Sequence, residues 1–144
     1  LAAQLALKTG IACHAAGGTH HAHWDFGAGF CVFNDLAYTA RALIRMGLAR
    51  RVLILDCDVH QGDGTANILS NDTNILTCSI HCAENYPIKK AVSDLDFAIS
   101  RGSGDGDYLT VLRRCLSQID RINFSPDFVT TLFVFASTKS KFNL

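Results

Sequence analysis

The chain has 144 residues, of which 49% are hydrophobic and 18% charged, with Lys plus Arg and Asp plus Glu balanced at 13 each. That length and hydrophobicity suit one domain with a buried core and exclude a disordered chain. A formal net charge of zero supplies no basic field to draw the protein onto nucleic acid or an anionic membrane, and no apolar run reaches bilayer length.

Six cysteines, Cys13, Cys31, Cys57, Cys78, Cys82 and Cys115, include no CxxC pair. They read as free thiols of an intracellular compartment (cytoplasm, nucleus or plastid) rather than as a disulfide scaffold. Cys78 and Cys82 have the i, i+4 spacing of helix-borne metal ligands, but their segment reads as strand end and loop.

Leu1 to Lys8 has helical composition and Gly10 is a stop signal. With no initiator Met, it reads as a helix already under way. Ile11 to Ala15 is expected to form a short strand. Gly17 to His21 and Asp25 to Gly29 read as loops. Asn34 or Asp35 caps a predicted helix running to Met46, with Leu36, Ala40, Leu43 and Ile44 at helical spacing.

Val52 to Val59 is a continuous aliphatic run of the kind buried on both faces of a parallel sheet. Gly62-Asp63-Gly64 turns the chain into a short helix, Thr65 to Leu69. Ile75 to Ile80 is a second buried strand, and Glu84 to Asp94 a polar loop. Leu95 to Ile99 is a short strand ahead of a Gly-rich turn. Asp107 caps a helix to Ile122 with Leu109, Leu112, Leu116 and Ile119 on one stripe. Phe128 to Phe135 is a last strand. This alternation predicts an α/β fold with a mostly parallel sheet.

Asp56, Asp58 and His60 stand at i, i+2 and i+4, so in an extended chain they line one side at the carboxyl end of a strand. Open α/β sheets place ligands there. Three such groups at the tip of an apolar strand are costly unless paired, and a divalent cation is the natural partner. Gly17-Gly18-Thr19-His20-His21 places two imidazoles after glycines, suited to taking a proton from a water and giving one to a leaving amine. Asp56 and Asp63 are available as their carboxylate partners. His14, His23 and His81 read as packing or loop residues. Gly29-Phe30 can wall a narrow channel, although Phe30 and Phe33 are as residue types more often core.

On these residues the chain resembles the histone deacetylase family. GGTHHA, GAGFCVFND, RVLILDCDVHQGDG and TCSIH occur in the family's order and spacing. The pattern is closest to bacterial, plant and class IV members, which often carry a Gln where Gln61 stands. The resemblance implies a partial three-layer arginase/deacetylase-like fold, incomplete at both ends, with residues 1–129 as part of a catalytic domain and 130–144 as a divergent tail. It implies a catalytic zinc held by Asp58 and His60, and an acid/base pair His20 and His21 backed by Asp56 and Asp63. It further implies a structural potassium site around Asp56, Asp58, His60, Ser79 and Ile80. Gly29, Phe30 and Tyr86 would line the acyl-lysine channel.

The family's next strand leads to an Asp that is its third zinc ligand, and a later Gly-rich loop carries a carbonyl-polarising Tyr. Here no acidic residue follows Asp127, so the resemblance leaves both positions unmatched and implies a truncated, impaired chain. The expected substrates are acetylated lysine in peptides or proteins. The alternatives are an acetylpolyamine or other small acetylated amine, and a non-catalytic module that binds acyl-lysine or a partner.

Overall fold

The computed structural model describes residues 1–132. The C-terminal part of the predicted 128–135 strand and most of the 130–144 tail lie outside the described residues. In chain order the elements are α1 (Ala2–Thr9), α2 (Asp35–Arg45), β1 (Val52–Asp56), α3 (Asp63–Leu69), β2 (Ile75–Cys82), β3 (Leu95–Ile99), α4 (Asp105–Arg121) and β4 (Phe128–Leu132). The four strands form one sheet in the order β3-β2-β1-β4, with every pairing parallel. The mixed α/β architecture is as the sequence predicts.

β1 is buried along its whole length, and its alternation divides the core. Val52 and Ile54 face a cluster with Leu36, Ala40 and Leu43 of α2 and Leu69 of α3. Leu53 and Leu55 face the opposite cluster with Cys78 and Ile80 of β2, Phe97 of β3 and Cys115 and Ile119 of α4. A strand with helices on both faces has no polar side, hence the unbroken Val-Leu-Ile-Leu run. The helices thus make two layers around the sheet.

Several local expectations are corrected. Ile11 to Ala15 forms no strand: Ile11 is 83% exposed, and the segment has no pairing partner among the described residues. The strand predicted to Val59 stops at Asp56: the Cys57 N–H still reaches Leu132 O of β4, but side-chain carboxylates take the N–H groups of Asp58 and His60. The helix expected from Thr65 begins at Asp63.

Helix α4 begins at Asp105, after Gly104, whose N–H donates to Asp107 Oδ2 at 3.2 Å. Its buried stripe is rotated from the predicted one. Cys115 and Ile119 are buried, with Tyr108, Val111 and Leu112 packed beside them, while Leu109 and Leu116 stay exposed. Phe30 and Phe33 are not core; both are exposed. Among the described residues no helix is long and apolar enough to cross a membrane.

Candidate active site

The parallel sheet ends its central strands at one edge, where β1 finishes in Asp56 and the chain bends through Cys57 to His60. The bend is made by side chains. Asp56 Oδ1 accepts the Asp58 N–H at 2.9 Å and Asp58 Oδ1 accepts the His60 N–H at 2.7 Å. Such Asx turns compete with strand pairing, so Asp56, Asp58 and His60 are not the alternating face of an extended strand. The turns direct the groups apart: Asp56 toward His20, and Asp58 toward the ring of His60, whose Nδ1 lies 3.0 Å from Asp58 Oδ1.

The histidine loop is held from two sides. Asp35, the first residue of α2, accepts from the N–H groups of Gly18 and Thr19 and from the Thr19 hydroxyl, at 2.8–3.1 Å. Asn34 caps α2 by accepting the Ala37 N–H at 2.9 Å, while its amide donates to Ala22 O and to Thr65 Oγ1, both at 3.0 Å. One Asn-Asp pair therefore starts a helix and anchors residues 18–22. From the other side, the Thr65 N–H donates to His20 O at 3.0 Å. Gly64 sits against the backbone of His21 and Ala22, where a Cβ would collide.

Two imidazole–carboxylate dyads result. His20 Nδ1 pairs with Asp56 Oδ2 at 2.6 Å, and His21 Nδ1 with Asp63 Oδ1 at 2.7 Å. All four residues are buried, and the two rings are 4.1 Å apart between centroids. Burial alone drives the His20 imidazole toward its neutral form. The hydrogen bond to Asp56 and the charges of Asp56, Asp58 and Asp63 outweigh it, so its pKa is raised above the ordinary histidine value. Burial alone would raise Asp63, but its bonds with His21 and His23 hold it below the ordinary aspartate value.

His60 and Tyr86 complete the cluster. The His21 ring stands edge-on to His60 at 5.9 Å and to Tyr86 at 4.9 Å. Tyr86 lies in the loop after β2, and Gln61 ties down the far end of that loop. The Gln61 amide donates to Ala91 O at 3.0 Å and Asp96 Oδ1 at 2.8 Å, and accepts from the Ala91 N–H at 2.8 Å. Gly29 approaches the His21 ring so closely that a Cβ would overlap it. Gly29 and Phe30 occupy the middle of a tight turn closed by Ala28 and Cys31, with φ of 52° and 63°. Positive φ at both central residues is a type I′ pattern, uncommon for a bulky aromatic. The Phe30 side chain is fully exposed at the rim.

The structure thus gathers His20, His21, Asp56, Asp58, His60, Asp63, Gly29 and Tyr86 at one edge of the sheet. Ser79 is the register partner of Asp56 on β2, and its hydroxyl pairs with His81 Nδ1 at 3.0 Å. Ile80 is fully buried on the α4 face, so only its backbone is available to an ion near Asp56.

His23 is no mere packing or loop residue: its Nε2 lies 3.3 Å from Asp63 Oδ2, and its ring stacks on Phe26 at 4.3 Å. Both oxygens of Asp63 therefore carry an imidazole. The even spacing His21-Ala22-His23 was a signal for it, because alternate residues of an extended segment share a side. His14 lies in an exposed loop. His81 is buried in β2, and its pKa is lowered by that burial despite Asp96 nearby.

The described residues contain no group of three or more His, Cys, Asp or Glu side chains spaced as metal ligands. Asp58 and His60 supply two. Two donors on one tetrahedral zinc lie roughly 3.3 Å apart, and the Asp58–His60 pair at 3.0 Å fits that spacing and donor chemistry. The half-exposed His60 ring leaves the pair open toward solvent.

The chain matches the histone deacetylase domain over residues 1–135. It is 50% identical over 119 residues to an uncharacterised protein of Picosynechococcus sp., covering 83% of this chain and 40% of that one. It is 33% identical over 133 residues to histone deacetylase 2 of Arabidopsis thaliana, covering 90% of this chain and 34% of that protein. The fold superimposes on an acetylpolyamine aminohydrolase from Burkholderia pseudomallei with a TM-score of 0.76 and 26% identity, over 92% of this chain and 42% of that chain. The chain therefore spans well under half the length of these proteins, and within that span it belongs to the histone deacetylase family.

Proposed function

We propose that this chain carries the acid–base half of a zinc-dependent amidohydrolase that removes acetyl groups from lysine side chains. The carrying observation is the pair of buried dyads, His20–Asp56 and His21–Asp63, packed ring to ring beside Asp58 and His60. Each carboxylate fixes its imidazole through Nδ1 and leaves Nε2 for proton exchange. One ring takes the proton from an attacking water and the other protonates the departing amine, steps that single groups accelerate by ~10²–10⁴-fold.

Asp58 and His60 would hold the zinc, with other donors completing its shell. When bound, the metal supplies Lewis acidity toward the acetyl carbonyl and the water. Asp56 and Ser79, with backbone carbonyls near Ile80, offer the oxygen donors that a structural potassium takes. Gly29, Phe30 and Tyr86 stand at the mouth, where an alkyl chain would enter. The free thiols accord with an intracellular site of action.

A second reading is an amidohydrolase of acetylated polyamines or similar small amides, favoured by the likeness to the Burkholderia enzyme. The test is acetate release by the complete protein, comparing an acetyl-lysine peptide with an acetylpolyamine. Preference for the peptide supports the first reading, and preference for the polyamine the second. His21→Ala should lower turnover of the preferred substrate by roughly 100-fold or more. Unchanged turnover in that variant would remove the acid–base assignment.

A further inference from the structure

Cys78 on β2 and Cys115 on α4 bring their Sγ atoms to 2.8 Å, though 37 positions separate them in sequence. Both belong to the apolar cluster on the α4 face of the sheet, and they are 2% and 0% exposed. A bonded pair has its sulfurs at ~2.0 Å, so closure requires sub-ångström to ångström movement of two side chains that already face each other. The other four cysteines have no such thiol partner among the described residues.

Access comes from the helix. α4 buries only Cys115 and Ile119 among its 17 residues, with Leu109 and Leu116 exposed. With Tyr108, Val111 and Leu112 only partly buried beside Cys115 and Ile119, this outer helix opens more readily than the central strands. Either thiol can donate across the 2.8 Å contact, and Cys115 is the one carried on the helix. Opening of α4 exposes Cys115 before Cys78, which stays within the fully buried β2, so Cys115 makes the first attack.

We propose that Cys78 and Cys115 are a redox-active dithiol, a modification site that hydrogen peroxide converts into an intramolecular disulfide stapling α4 to β2. The Cys115 sulfur attacks one peroxide oxygen and the O–O bond breaks, giving a sulfenic acid and one water. The Cys78 sulfur then attacks the Cys115 sulfur, and the S–O bond breaks. The hydroxide leaves as a second water with the Cys78 proton. The two thiols lose two electrons and the peroxide is reduced to two waters. This site is independent of the deacetylase reading.

The full chain is treated with a limiting amount of hydrogen peroxide, the remaining thiols are alkylated, and an unreduced digest is mapped by mass spectrometry. The expected result is a Cys78–Cys115 cross-linked peptide, loss of two of the six thiols, a raised unfolding midpoint, and reversal by dithiothreitol. In Cys78→Ala the cross-link should vanish and Cys115 should be trapped as a sulfenic acid by dimedone. If Cys78 and Cys115 both remain alkylatable after exposed Cys13 has been oxidised, the proposal fails. The wild-type map decides this even if the variant does not fold.

Discussion

At the scale of single residues, the cluster depends on how closely backbone can approach an imidazole. Gly29 combines a positive φ of 52° with a position where any Cβ meets the His21 ring. Gly29→Ala should therefore displace His21 from Asp63 while leaving the distant apolar core intact. If the complete protein is the proposed amidohydrolase, this predicts a turnover loss on the order of 100-fold, as expected for an ångström-scale misplacement. Near-UV circular dichroism and the unfolding midpoint should change little; a global loss of structure would show that the glycine serves folding instead.

Asp35 acts at the same scale by holding the histidine loop. Burial would raise its pKa, but the Thr19 hydroxyl and the N–H groups of Gly18 and Thr19 hold it below the ordinary aspartate value. A carboxyl depressed in the folded state adds stability above its unfolded pKa, and that stability is lost as pH falls through the folded value. The wild-type chain should thus lose stability below about pH 4, the unfolded aspartate range, partly through this group. Asp35→Asn should destabilise at pH 6 and narrow its deficit toward pH 3. A deficit independent of pH, read from denaturant midpoints, would contradict the assignment.

At the scale of elements, the site is assembled from turns that two strands release at their carboxyl ends. The bend after β1 presents Asp58 and His60, and the loop after β2 presents Tyr86. Gln61 links them, being 1% exposed with three hydrogen bonds to Ala91 and Asp96. Gln61→Ala leaves the half-buried Ala91 backbone groups without their partner and should cost about 1–3 kcal/mol. It should also speed amide hydrogen exchange across residues 84–94 before it affects β1. If exchange rises uniformly instead, Gln61 is not the clamp of that loop.

At the scale of the whole molecule, stability and chemistry occupy different layers. Two apolar clusters grip the sheet from opposite faces, while Asp58 and His60 stand beyond the end of β1 and contribute nothing to either. Metal removal should therefore leave the fold in place, unlike a structural zinc whose loss unfolds the chain. Treatment with a chelator should leave the far-UV circular dichroism spectrum unchanged. Zinc titrations should show weakened binding, by tenfold or more, for Asp58→Ala and His60→Ala. Unfolding upon chelation would move the metal into the core of the stability argument.

The sequence by itself determined the parallel α/β architecture and the composition of the cluster. Uninterrupted aliphatic strands between amphipathic helices have few ways to bury their surfaces, and paired histidines with strand-tip carboxylates have few uses. Only the tertiary structure decided how the pieces meet. It stopped β1 at Asp56, because Asx turns outcompete strand pairing there, and it gave His23 to Asp63. It left Phe30 in solvent through a turn with two positive φ angles and rotated α4 so that Cys115 reached Cys78. The turns at Asp56 and Phe30 are local competitions between conformations, whereas the His23–Asp63 and Cys78–Cys115 contacts join positions 40 and 37 apart, and local spacing does not say which distant group will arrive.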